Sequence, residues 1–135
     1  MIVDSSALIA AIELEVDSDR IFDLLGQYGG KISAATLVEV RVAAWSRAGV
    51  NGIRRLNGIL RQFEIEVVAF DEDQADAATD AYVIYGRGSR HPAKLNLGDA
   101  FSYALAYVTD EPLLYVGDDF SRTDIRSAFE EYAGD

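Results

Sequence analysis

Cysteine is absent from this chain of 135 residues, and histidine and tryptophan occur once each. Without cysteine there is no disulfide and no thiolate metal site, which suits a reducing compartment. The single histidine, His91, lies in a proline-containing loop with no orienting partner in view, so it reads as solvent-exposed and non-catalytic. Only two residues are proline, half of the chain is hydrophobic (50%) and 26% is charged, so disorder is not expected. No apolar run approaches a membrane span and no basic segment precedes the first apolar residues, so a soluble, cytoplasmic protein is expected. Cations are scarce too, with 12 Lys and Arg against 23 Asp and Glu and a formal charge of −11. Taken alone, that balance argues against nucleic acid, because phosphates need cationic partners. The argument weakens where several acids converge on a divalent cation, which inverts the local field, or where a basic partner covers them.

What is present reads as one domain over residues 1–135, with no repeat, low-complexity tract or linker to divide it. Ile2-Val3 is a short buried strand, followed by a helix from Ala7 to Ile12 with Ser5 or Ser6 as its cap. A second helix over 17–28, capped by Asp17 or Ser18, buries Ile21, Leu24, Leu25 and Tyr28 and ends at Gly29-Gly30. Lys31-Ile32-Ser33 is a strand. A third helix over 34–48 has Thr36 as cap, Glu39 at capping-box spacing and Gly49 as its stop. A fourth over 51–63 is basic on its outer face through Arg54, Arg55 and Arg61. Further strands are expected at 65–68 and 112–116, and helices at 71–85, 99–108 and 123–132, with 86–98 irregular. Strands alternating with helices predict a parallel sheet wrapped on both faces.

Four carboxylate stations stand out. Asp4 ends the first strand, where open α/β sheets bind ligands. Glu39 lies one turn into an otherwise apolar helix (Leu37, Val38, Val40, Val42), Asp99 begins a helix directly after Gly98, and Asp118-Asp119 follow the last strand. Each has an ordinary explanation in capping or turn chemistry. Jointly they point elsewhere, because the ends of parallel strands and the starts of the following helices share one rim. Acids gathered there repel and raise one another's pKa unless a cation sits between them, and Mg²⁺ or Mn²⁺ is the occupant that takes oxygen ligands and still leaves room for a phosphate. The matching chemistry is phosphodiester hydrolysis, which needs no serine or cysteine nucleophile.

These residues resemble a known family. Ile2-Val3-Asp4-Ser5-Ser6-Ala7-Leu8, the helical Glu39, Leu95-Asn96-Leu97-Gly98-Asp99-Ala100-Phe101 and Leu113-Leu114-Tyr115-Val116-Gly117-Asp118-Asp119-Phe120-Ser121-Arg122-Thr123-Asp124-Ile125 look like a PIN domain. More narrowly, they resemble the VapC-type toxin ribonucleases of bacterial toxin–antitoxin pairs, over essentially the whole chain. The resemblance implies a PIN-like three-layer α/β fold, with a mostly parallel sheet of four to five strands flanked by about seven helices. It implies a Mg²⁺- or Mn²⁺-dependent endoribonuclease that inhibits translation and growth, with Asp4, Glu39, Asp99 and Asp119 as catalytic acids. Asp4, Asp99, Asp119 and Asp118 are the metal-ligand candidates, and which of the two adjacent aspartates faces the metal stays open, with Asp119 favoured. Ser6 would hold a water or a phosphate. The implied partners are RNA, a VapB-like antitoxin and a second copy of the chain, in a homodimer and a toxin–antitoxin hetero-oligomer, with no membrane.

Arg87, Arg90 and Lys94 flank this site in the sequence, either as an ordinary solvated loop or as a grip on RNA phosphates. Tyr82, Tyr85, Tyr103, Tyr107 and Trp45 have the apolar spacing of core or interface residues. The stripes of the first two helices and the Arg54–Arg61 helix offer a groove for an amphipathic partner segment. Rival small acidic folds fail on named residues: a receiver domain needs adjacent acids after its first strand, and a haloacid-dehalogenase-like phosphatase needs a second aspartate where Ser6 stands. The remaining alternative is a non-catalytic PIN scaffold that only binds a partner protein.

Overall fold

The computed structural model describes residues 1–134. Strand β1 (Ile2–Val3) is the axis of the molecule. Strands β2 (Lys31–Ser33) and β4 (Leu113–Leu114) flank it, and β3 (Glu66–Val68) lies outside β2. Every pairing is parallel, with Ile2 opposite Lys31 and Leu113, and Val3 opposite Leu114. Successive side chains leave opposite faces of a strand. Val3, Ile32 and Leu114 therefore join one core, while Ile2 and Leu113 join another.

Five helices of more than one turn cover the two faces. Helices α1 (Ser5–Ile12), α2 (Ser18–Tyr28) and α3 (Ala34–Gln62) enclose the first core through residues such as Leu8, Ile21, Leu25, Val40 and Leu56. Helices α4 (Glu72–Tyr85) and α5 (Leu97–Thr109) close the second, where alanines (Ala77, Ala78, Ala100, Ala104) let the two helices approach closely. A short α6 (Ala128–Glu131) returns to the first face. None of these helices is long and apolar enough to cross a membrane.

Several local expectations are corrected. The sheet has four strands, within the four to five expected, and is wholly parallel, with six helices among the described residues when the two halves of α3 are counted as one. The helices expected at 34–48 and 51–63 are found as the two halves of α3, parted at Ala48 and Gly49, whose backbone is not helical; Gly49, the expected stop, takes φ 57° and ψ −138°. The last strand is shorter than expected because Pro112 has no N–H and Val116 N donates to the Ser6 hydroxyl rather than to a neighbouring strand. The last helix does not begin at Thr123. That residue's hydroxyl donates to the Phe120 carbonyl, the Asp124 carboxylate accepts from the Tyr103 hydroxyl, and Ser127 provides the cap. Asp4 caps α1, which is the ordinary capping role open to it in the sequence, and Ser33, not Thr36, caps α3. Val38 and Val42 are exposed on α3, as is Trp45, which leaves the interface rather than the core for it.

Candidate active site

The chain steps outward from β1 to β2 and β3, then crosses to β4 on the other side of β1. Strand order thus reverses between β1 and β4, and a crevice opens at their carboxyl ends. Asp4 prolongs β1 into that crevice, its N–H donating to the Leu114 carbonyl at 2.9 Å. It is 2% exposed and held by three donors: Ser6 N (3.1 Å) and Ser6 Oγ (2.7 Å) to Oδ2, and Ser102 Oγ (2.6 Å) to Oδ1. Burial pushes its carboxyl above the usual range, while the hydroxyls of Ser102 and Ser6 pull the other way.

Asp99 arrives at the same place from the first turn of α5. Asn96, rather than Asp99 itself, is the cap of that helix. Asp99 N donates to Asn96 Oδ1 (2.8 Å), and Asn96 N donates back to Asp99 Oδ2 (3.1 Å), a reciprocal pair that fixes the aspartate. Burial, opposed by the Asn96 N–H and reinforced by Asp119 and Asp4, pushes the Asp99 carboxyl up to about 8. Glu39 projects from the second turn of α3, its carboxyl raised by burial and by the charge of Asp4, and eased by Ser5. It also lies directly over Gly98, where an added Cβ would sit 1.5 Å from Glu39 Oε2.

The structure therefore brings Asp4, Glu39, Asp99 and Asp119 together and separates the adjacent aspartates. Asp118 is exposed, and its carbonyl closes a turn by accepting from Ser121 N and Oγ. Asp119 is exposed as well, and what distinguishes it is its charge acting on Asp99; the next residue, Phe120, is buried against Tyr115 and anchors the loop. Among the described residues, no three or more acids or imidazoles stand close enough together to hold an ion as a group. The acids approach in pairs, all through carboxylate oxygens. That donor set suits a hard cation such as Mg²⁺, which binds through one or two carboxylates and completes its shell with water and substrate phosphate.

Beside the acids lies an open cleft of about 740 Å³, lined by Arg87, Pro92, Ala93, Lys94, Asp118, Asp119 and Arg122. Arg87 and Lys94 face it as the sequence suggested; Arg90 is not part of its lining. His91 does not approach the acids: its Nδ1 accepts from Ala93 N and its ring meets Tyr85 edge-on, which shapes the loop. Sequence reasoning missed Arg122, Ser102 and the spatial role of Gly98. A cation three residues after Asp119 was a readable signal for the first. The other two have no local signal, since their partners are distant in the chain.

A second cavity, of about 530 Å³, lies between α1, α2 and the second half of α3. Ala11, Ile12, Leu14, Phe22, Gly58 and Ile59 give it an apolar lining, with Glu13, Arg55 and Gln62 also at its wall.

A family model described as the PIN domain matches residues 1–126. The chain is 46% identical over 129 residues to a VapC ribonuclease of Mycobacterium bovis, covering 95% of this chain and 98% of that one. It is 42% identical over 126 residues to ribonuclease VapC of Mycolicibacterium smegmatis, covering 93% and 97%. Among solved structures, Mycobacterium tuberculosis VapC20, a sarcin-ricin loop cleaving toxin, superposes with a TM-score of 0.71 at 18% identity over 92% of this chain and 95% of that one. VapBC2 of Rickettsia felis, bound to a DNA fragment from its promoter, superposes with a TM-score of 0.68 at 14% identity over 93% and 94%. The likeness to these two structures is one of fold.

Proposed function

Since the chain belongs to the PIN-domain family, and within it to the VapC ribonucleases, we propose that it is an RNA-cleaving toxin whose cut is made at the Asp4–Glu39–Asp99–Asp119 cluster with a divalent cation. The observation that carries this reading is the convergence of four acids, from four separate segments, at the strand-order reversal beside a cationic cleft. Asp4, Asp99 and Asp119 would hold Mg²⁺, with Glu39 at its side. When bound, the cation supplies Lewis-acid activation of water and neutralises charge on the phosphodiester. The chain's own residues do the rest. Ser6 holds Asp4 and ties it to Val116 N. Arg87, Lys94 and Arg122 draw the phosphate backbone over the acids, which would otherwise repel it.

Purified protein incubated with a structured RNA pool should cleave it in Mg²⁺ and not in EDTA, and Asp99→Asn should abolish the cleavage while remaining folded. Equal cleavage by wild type and Asp99→Asn would overturn the site. Silence under every condition, with no heat of Mn²⁺ binding, would favour the non-catalytic scaffold.

The same reading includes two partners and a location. A VapB-like antitoxin lays an amphipathic segment into the groove between α1, α2 and α3, in a toxin–antitoxin hetero-oligomer. A second copy covers the apolar surface between α4 and α5, where Tyr82, Val83, Leu97 and Phe101 line a cavity of about 260 Å³. The toxin acts in the cytoplasm, where its RNA is. Sedimentation at rising concentration tests the homodimer, and a mass that stays at one chain would rule it out.

A further inference from the structure

Hydroxyl side chains inside helices usually bond back to the carbonyl one turn earlier. Thr79 on α4 does so with Ala75 O at 2.8 Å, and Thr109 on α5 with Leu105 O at 2.7 Å. Ser102, on the same helix as Thr109, does not. It is 1% exposed, and its hydroxyl leaves the helix to donate to Asp4 Oδ1 at 2.6 Å, across 98 positions of sequence. Behind it stands Thr36, wholly buried in the first turn of α3, with its Oγ1 3.2 Å from Ser102 Oγ. A hydroxyl has one proton, and that of Ser102 is given to the carboxylate, so Thr36 is the donor in the second contact. The chain of donation runs Thr36 to Ser102 to Asp4. It closes on the Oδ1 side what Ser6 closes on the Oδ2 side.

We propose that Ser102, backed by Thr36, is a positioning residue: the buried hydroxyl chain sets the plane of the Asp4 carboxylate and thereby the affinity of the acid cluster for a divalent cation. The inference rests on the reading of that cluster as a cation site. Partners that orient a metal ligand govern affinity or activity by about 10- to 100-fold when removed. Ser102 and Thr36 lie behind Asp4, away from the cleft lined by Arg87, Lys94 and Arg122, so they act through the aspartate rather than on RNA.

The test uses Mn²⁺ alone as the probe, titrated into purified protein by calorimetry, with a thermal melt for each variant and RNA cleavage beside it. Ser102→Ala should remain folded and bind Mn²⁺ about tenfold or more weakly, with kcat recovering as Mn²⁺ is raised and the KM for RNA unchanged. Thr36→Val should shift affinity the same way by less, and Thr36→Ser, which keeps the hydroxyl, should restore it. Wild-type Mn²⁺ affinity in folded Ser102→Ala, or in Thr36→Val should the first variant not fold, would overturn the proposal. If the wild type takes up no Mn²⁺, the cation reading fails, and crystals of metal-free Ser102→Ala decide the positioning claim separately. A rotated Asp4 carboxylate would uphold that claim, and an unmoved one would end it.

Discussion

A carboxyl that keeps its proton up to about pH 8 is unusual, and Asp99 does so because burial and the charges of Asp119 and Asp4 act in one direction. The unfolded chain releases that proton near 3.8 and the folded chain near 8, so the folded state holds more protons between those values. The contribution of Asp99 to metal-free stability is therefore greatest below the lower value, falls as pH rises through the window, and levels off above about 8. In chelator, Asp99→Asn should melt a few degrees higher than wild type near pH 8 and show a flatter pH profile. Coincident profiles for the two proteins would mean that the acids do not repel. Gly98 bears on the site through its lack of a side chain, because a methyl group there would overlap the Glu39 carboxylate. Gly98→Ala should lower RNA cleavage by about tenfold or more with little change in melting. Combined with Glu39→Ala it should add nothing further. Additive losses would show that Gly98 acts elsewhere.

At the scale of elements, the bend in α3 separates two tasks. The first half carries Glu39 and Thr36 to the acids, and the second half faces α1 and α2 to form the apolar groove. Gly49 holds a backbone conformation (φ 57°, ψ −138°) that a side chain resists, and a Cβ on Gly52 would meet the Ala44 carbonyl at 2.2 Å. Gly49→Ala should lower unfolding free energy by about 1–3 kcal/mol, seen as a lower denaturant midpoint. An unchanged midpoint would show that the bend does not need glycine. Gly49 was legible as the stop between two helices, but the angle at which the second half of α3 leaves it was not, because chain direction after a break depends on what each half packs against. Leu14 lines the groove and is 74% exposed, so Leu14→Asp should weaken antitoxin capture in a pull-down and leave cleavage intact. Loss of cleavage in that variant would mean that groove and site are not separable.

For the whole molecule, a charge of −11 and an RNA substrate conflict unless the cations are gathered in one place. Arg87, Lys94 and Arg122 are gathered at the cleft, while Asp118 and Asp119 share its lining. RNA affinity should consequently be steeply dependent on salt. Each of Arg87→Ala, Lys94→Ala and Arg122→Ala should raise KM and reduce the slope of log affinity against log salt by about 0.7 for single-stranded RNA. Arg90→Ala, outside the lining, should change neither. A loss confined to kcat would instead place these cations at the reacting phosphate.

The amino-acid sequence alone determined the parallel α/β architecture, the acid at the end of β1, the paired acids after β4 and the glycine–aspartate start of α5. These features are local: β-branched pairs, caps and turns are read within a few residues of themselves. Only the tertiary structure decided that Asp119 rather than Asp118 meets Asp99, that Glu39 lies over Gly98, that Arg122 joins the cleft and that Ser102 holds Asp4. Periodicity encodes which side chains are buried, but not which of two neighbours in a turn acts on a distant acid. Those contacts depend on crossovers that bring residues nearly a hundred positions apart into hydrogen-bond distance.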